Sequence, residues 1–340
     1  MMMRRVVSGL AAVAFASAAM AQQPDPFGRQ FIQSERHRGV TWAGDDRLAF
    51  LGQRLFFDVR LSGTGTTACA SCHDPSYWYA EPRRVSISDG GQPGRRNAPS
   101  LLDVGFLPTL MWDGRFRTLE QQALGPFQRG EMGIGVDQGV KRVSSDPQYV
   151  QLFRAALGHW PSADGVARAL AAFQRTLFSP PSRVDRFLVN NEPAILTPAE
   201  QDGFYIFNQR AGCSRCHQLF PLRPDGGQYS RPLLTDFRFH NLGVGYRFDG
   251  FADTGRYALS RLNTEWGAFR TPSLRNSVKT PPYMHDGSLA TLEDVVEFYS
   301  AGGQPNPNLS PLIRPLFLDG YEKAALVAFL RALRDPDCEC

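Results

Sequence analysis

Two copies of Cys-x-x-Cys-His carry the most specific chemistry in this 340-residue chain: Cys69, Cys72 and His73 in the first half, Cys213, Cys216 and His217 in the second. Two thiols at that spacing can each form a thioether to one edge of a haem, while the adjacent histidine reaches the iron from one face. A zinc or redox Cys-x-x-Cys pair needs no following histidine, and here both copies carry one in the same place. Two covalently bound haems are therefore expected, with His73 and His217 as iron ligands.

What each iron can do depends on its other face. A carrier closes both axial positions with His or Met, whereas a peroxide-activating haem keeps one open. Between His73 and the second motif the only other histidine is His159 and the only methionines are Met111 and Met132, and residues 74–110 contain neither type. An open first site is the favoured reading, with Met111 and Met132 as the competing ligands. After His217 the candidates for the second iron are His240, Met284, His285 and Tyr299, and spacing alone does not choose among them.

The elements that must position these groups read as mostly α. Leu48, Leu51, Leu55 and Phe56 form one helical stripe before the first motif. Thr197, Pro198 and Glu200 read as a capping box with proline at the first helical position before the second. Gly52, Leu55 and Phe56 are echoed by Gly203, Ile206 and Phe207, which points to a duplicated cytochrome c unit. Helical periodicity also marks 166–177, 292–299 and Leu326, Phe329, Leu330 and Leu333, the last as a cover for the second haem. No series of alternating strands occurs. The expected domains are 22–180 with the first haem and 181–340 with the second, joined near Ser179-Pro180-Pro181-Ser182.

Arg4 and Arg5 precede an apolar run ending in Ala19-Met20-Ala21, so 1–21 reads as a signal peptide and the periplasm as the address. That run is too short to span a bilayer, and no other stretch qualifies. Cleavage lowers the formal charge from +4 to +2 by removing the two arginines, which gives no case for nucleic acid or an anionic membrane. Four of the six cysteines serve the haem motifs; Cys338 and Cys340 lie in the tail.

Arg96-Asn-Ala-Pro-Ser-Leu, Met111-Trp-Asp-Gly-Arg, Thr118-Leu-Glu-Gln-Gln-Ala-Leu-Gly-Pro, Glu131-Met, and the blocks from Thr271 through Pro-Pro-Tyr-Met-His-Asp-Gly-Ser-Leu-Ala-Thr-Leu-Glu closely resemble the bacterial dihaem cytochrome c peroxidase and MauG superfamily. The resemblance implies a first haem that reacts with hydrogen peroxide, with Gln122, Pro126 and Glu131 in its distal pocket and Glu131 as acid-base group. It implies Trp112 between the haems and an interdomain calcium held by Asn97, Thr280 and the Pro282 carbonyl, hard oxygen donors as calcium requires. Tyr299 occupies the position where standard peroxidases carry a methionine ligand and MauG a tyrosine. The chain also lacks a histidine in the loop after the first motif. Both features point to the MauG type, which oxidises tryptophans of a methylamine dehydrogenase precursor to form tryptophan tryptophylquinone. The alternatives are a peroxidase drawing electrons from a small cytochrome or cupredoxin, and a non-enzymatic dihaem carrier. Where MauG has a tryptophan just before its second motif, this chain has Arg210-Ala211-Gly212.

Overall fold

A computed structural model describes residues 45–335 except 129 and 224. The expected signal peptide and the Cys338/Cys340 tail lie outside the described residues. The fold is mostly helical. The first half contains α1 (Asp46–Phe56), α2 (Leu119–Gln128), α3 (Val136–Ser144), α4 (Pro147–Leu157) and α5 (Ala163–Gln174). The second contains α6 (Arg183–Val189), α7 (Pro198–Tyr205, extended by a π turn over Ile206–Arg210), α8 (Tyr257–Ser260), α9 (Leu292–Ser300) and α10 (Gly320–Ala332). Strands are confined to two antiparallel ribbons, β1 (Phe239–Asn241) with β4 (Ala268–Arg270) and β2 (Tyr246–Arg247) with β3 (Gly250–Phe251).

The repeat suggested by the glycine and phenylalanine spacing is visible in the packing. Helix α1, capped by Asp45, crosses α5 at Gly52, where a Cβ would lie 1.9 Å from the Ala169 carbonyl oxygen. Helix α7, started by the Thr197/Glu200 box, crosses α10 at Gly203, where a Cβ would lie 2.0 Å from the Ala325 oxygen. Only glycine lets the backbones approach so closely. One turn on, Phe56 meets Phe173 and Phe207 meets Phe329, both with ring centroids 5.1 Å apart. Such tilted pairs add about 0.5–1.5 kcal/mol beyond the area they bury.

Buried apolar side chains form two clusters, one drawn from residues between Leu51 and Leu177, the other from residues between Val184 and Leu333. The Ser179–Ser182 stretch falls between them and is held tightly. Ser179 and Ser182 are buried, and Ser179 hydrogen-bonds Asp103. Asp103 also pairs with Arg231 at 3.3 Å and Arg275 at 3.4 Å, and Arg275 reaches Asp185 at 2.7 Å. A second cluster joins the halves through Arg96, which pairs with Asp113 at 2.7 Å and Asp253 at 2.6 Å. No helix among the described residues is long and apolar enough to cross a membrane.

Candidate functional site

The two Cys-x-x-Cys-His motifs are built alike. Each pair of cysteines brackets one 3-10 turn, Cys69–Ser71 or Cys213–Arg215, and each histidine N–H closes back on the first cysteine's carbonyl, at 3.0 Å for His73 and 2.9 Å for His217. His73 Nδ1 lies 3.0 Å from the Tyr79 carbonyl oxygen, and His217 Nδ1 lies 3.0 Å from that of Leu234. A backbone acceptor at Nδ1 selects the tautomer whose Nε2 lone pair faces away and is free for a metal. Burial holds both imidazoles below their ordinary pKa, so they are neutral near pH 7, as ligation requires. Burial also pushes the Cys69 and Cys213 thiols up to about 12, opposite to the lowered thiol of a redox pair.

A cavity of about 280 Å³ is lined by Cys213, Cys216, His217, Met284 and Tyr299, and reaches Trp112 and Asn97 of the first half. Leu292, Val295, Val296 and Tyr299, at i, i+3, i+4 and i+7, present one face of α9 to it, and Leu326 and Leu330 of α10 close another side. The residues present fit a haem: an apolar cleft, two thiols, a histidine with its metal-facing nitrogen free, and a phenol opposite in kind. Burial, with Cys216 and Cys213 nearby, pushes the Tyr299 phenol well above its ordinary value. A phenolate there needs a compensating cation, which a bound iron supplies.

The other candidates for the second iron separate by their partners. His240 Nε2 is 2.8 Å from Asp236, its Nδ1 is 3.5 Å from Ser310 Oγ, and the Asp236 carboxylate lies with it beside Cys216. Burial lowers His240, but Asp236 and Cys216 outweigh it and raise the ring to about 9. His285 is buried, stacked on Phe269 at 3.6 Å, and lowered to about 4 mainly by burial. All four candidates line the same cavity.

Around the first motif, α2 carries Gln122 and Pro126. Gln122 Nε2 contacts Met111 Sδ at 3.9 Å, and its Oε1 is buried with no partner among the described residues. That orphaned acceptor suits a pocket whose occupant supplies a donor. Glu131 is exposed in the turn after α2. The turn is clipped to loops on both sides of the motif: Gly63 N–H donates to the Met132 carbonyl at 2.8 Å and Asp89 N–H to that of Glu131 at 2.9 Å. Met132 itself is core packing.

The helices of the two halves share a register that hydrophobic periodicity alone does not show. Thr118 Oγ1 accepts from Gln121 N–H and its carbonyl from Gln122 N–H; Thr291 Oγ1 accepts from Asp294 N–H and its carbonyl from Val295 N–H. Thr118-Leu-Glu and Thr291-Leu-Glu are thus equivalent starts. Eight residues on, Tyr299 of the second helix corresponds to Pro126 of the first. Likewise Met111 and Met284, both in left-handed conformation (φ 68° and 71°), begin equivalent turns bounded by the Leu110–Phe116 and Tyr283–Leu289 bridges. The repeated Thr-Leu-Glu triplet was the available signal.

Trp112 stands at the junction. Its Nε1 donates to the Asn97 carbonyl at 2.8 Å, its carbonyl accepts from Arg270 N–H at 2.8 Å, and its ring meets His285 edge-on at 6.5 Å. Asn97, Thr280 and Pro282 line the same cavity. Asn97 Nδ2 donates to the Glu81 and Arg83 carbonyls, which leaves its Oδ1 for another partner.

A profile of the family described as Di-haem cytochrome c peroxidase matches residues 46–193. The chain is 37% identical over 287 residues to Methylamine utilization protein MauG of Methylorubrum extorquens, covering 84% of this chain and 77% of that one. It is 33% identical over 286 residues to Cytochrome c551 peroxidase of Nitrosomonas europaea, covering 83% and 79%. The chain belongs to the di-haem cytochrome c peroxidase family. Among solved structures, a MauG-like protein associated with microbial copper homeostasis superposes with a TM-score of 0.75 at 35% identity, covering 86% of this chain and 90% of that one. Membership makes the protein a haem-dependent oxidoreductase. As a di-haem peroxidase relative it has in Pro126 a residue whose side chain offers no ligating atom where its own second half has Tyr299.

Proposed function

We propose that this chain is a periplasmic enzyme with two covalently attached haems, one at each motif, that uses hydrogen peroxide to oxidise tryptophan residues of a protein partner. The methylamine dehydrogenase precursor is the partner that the MauG resemblance names. The observation that carries this is the register of α2 on α9. Proline at position 126 would leave the first haem open to peroxide, while Tyr299 would hold the second haem's iron with an anionic oxygen donor that favours the oxidised state. A bound haem supplies the redox chemistry by which peroxide is reduced to two waters with two electrons and two protons. The chain's own residues do the rest. Glu131 would accept a proton from hydrogen peroxide and return it to the departing oxygen, since heterolysis needs a protonated leaving group. Gln122 would orient the peroxide by hydrogen bonding, and Trp112 would pass the electron equivalents between the halves. Asn97, Thr280 and the Pro282 carbonyl hold calcium across the junction, to be checked by metal analysis before and after chelation.

A second reading, a peroxidase fed by a small cytochrome or cupredoxin, is supported by relatives named cytochrome c peroxidase and by Arg210-Ala211-Gly212 ahead of the second motif. The test is direct. With peroxide present, quinone absorbance should grow in the methylamine dehydrogenase precursor. Rapid peroxide-dependent oxidation of a reduced small cytochrome, with the precursor untouched, would select the second reading.

A further inference from the structure

Two arginines of the second half are almost wholly buried, and they differ in how their charge is met. Arg275 has Asp185 at 2.7 Å and Asp103 at 3.4 Å, and donates further to the Pro232 and Pro180 carbonyls at 2.9 and 2.8 Å. Arg270, 5% exposed, has no carboxylate partner among the described residues. Its Nη1 donates to the neighbouring Thr271 carbonyl at 3.1 Å, and its Nε is buried without a partner among the described residues. A guanidinium does not shed its proton near neutral pH, and burying an unpaired charge is costly unless something compensates it. The side chain lines the cavity shared by Cys213, Cys216, His217 and Tyr299. A haem brings two propionate carboxylates, and a guanidinium fork matches a carboxylate with paired hydrogen bonds.

We propose that Arg270 is the anchor for a propionate of the haem attached at Cys213 and Cys216, its fork closing on the carboxylate from the cavity wall. This rests on the reading that a haem occupies that cavity. Strand β4 fixes the arginine by pairing Arg270 with Phe239 of β1, and its N–H holds the Trp112 carbonyl. One residue thereby ties the second haem's edge to the tryptophan at the junction.

The experiment uses the intact, haem-loaded protein and its Arg270→Gln and Arg270→Lys variants. A pyridine haemochrome assay first counts haems; fewer than two in the native chain defeats the underlying reading, separately from this inference. With two present, resonance Raman should show the propionate bending band of the second haem shifted in Arg270→Gln. Its midpoint potential should fall, because an anionic carboxylate has lost its cation. Arg270→Lys should retain more of the native potential but still shift the band, since a single ammonium replaces the fork. Unmoved bands and potential in Arg270→Gln overturn the proposal. If that variant fails to mature, an unmoved band in Arg270→Lys does the same.

Discussion

Glu131, Gln122 and Pro126 fall within ten residues of chain, and in the proposed mechanism each acts by what it can or cannot offer the peroxide. Glu131→Gln keeps size and removes the ionisable proton, so stopped-flow mixing with peroxide should show the reaction slowed roughly 100- to 10,000-fold. An unchanged rate would remove Glu131 from the mechanism. Tyr299→Met should raise the second haem's midpoint potential in spectroelectrochemistry, because a neutral thioether replaces an anionic oxygen; an unchanged potential would mean that the phenol is not bound. Both Cys-x-x-Cys-His motifs form the same tight turn with the histidine N–H returning to the first cysteine, and their local geometry was legible from sequence. Arg270 and Asp236 were not, since an arginine lacking a counter-charge and a carboxylate beside His240 are recognised only when the fold shows what surrounds them.

The helix pairs carry a different kind of information. Periodicity placed α1, α7, α9 and α10 well, and the Thr197/Glu200 box forms as its residue types require. Their crossings depend on one glycine each, and the Gly203 site is the sharper test. Gly203→Ala would set a Cβ 2.0 Å from the Ala325 oxygen and 2.7 Å from Phe329 Cβ, neither able to yield without moving α10. Overpacking of this kind costs about 1–3 kcal/mol or more, so thermal unfolding should begin several degrees lower. Because α10 lines the second haem cavity, the second haem's spectrum should broaden while the first is retained. Equal disturbance of both haems would contradict the separation into two cores. What the periodic pattern could not show is that α2 and α9 share a register, because Pro126 and Tyr299 have nothing chemical in common.

At the scale of the whole molecule, ion clusters join the halves alongside aromatic contacts such as Phe106 with Tyr229 at 5.6 Å. Asp113 is buried and Asp253 half-buried, which raises a carboxyl, yet Arg115 and Arg96 hold Asp113 below the ordinary value and Arg96 does so for Asp253. Carboxyls lowered in the folded state contribute stability that is complete above their unfolded value near 4 and is lost as pH falls below it. Acid titration below about pH 4 should therefore loosen the junction first, seen as a change in Trp112 fluorescence before the helical signal falls. Simultaneous loss of both would place the acid-sensitive contacts elsewhere. Asp253→Asn should move that transition to higher pH.

The central claim is that one chain holds an open haem and a tyrosine-closed haem in duplicated helical frames. Low-temperature EPR of the oxidised protein, compared with Tyr299→Phe and Met284→Leu, tests it most directly. The account predicts one high-spin and one low-spin signal in the native protein, with the low-spin signal lost in Tyr299→Phe and preserved in Met284→Leu. A low-spin signal that survives Tyr299→Phe and disappears in Met284→Leu would contradict it and make the second haem that of a standard peroxidase.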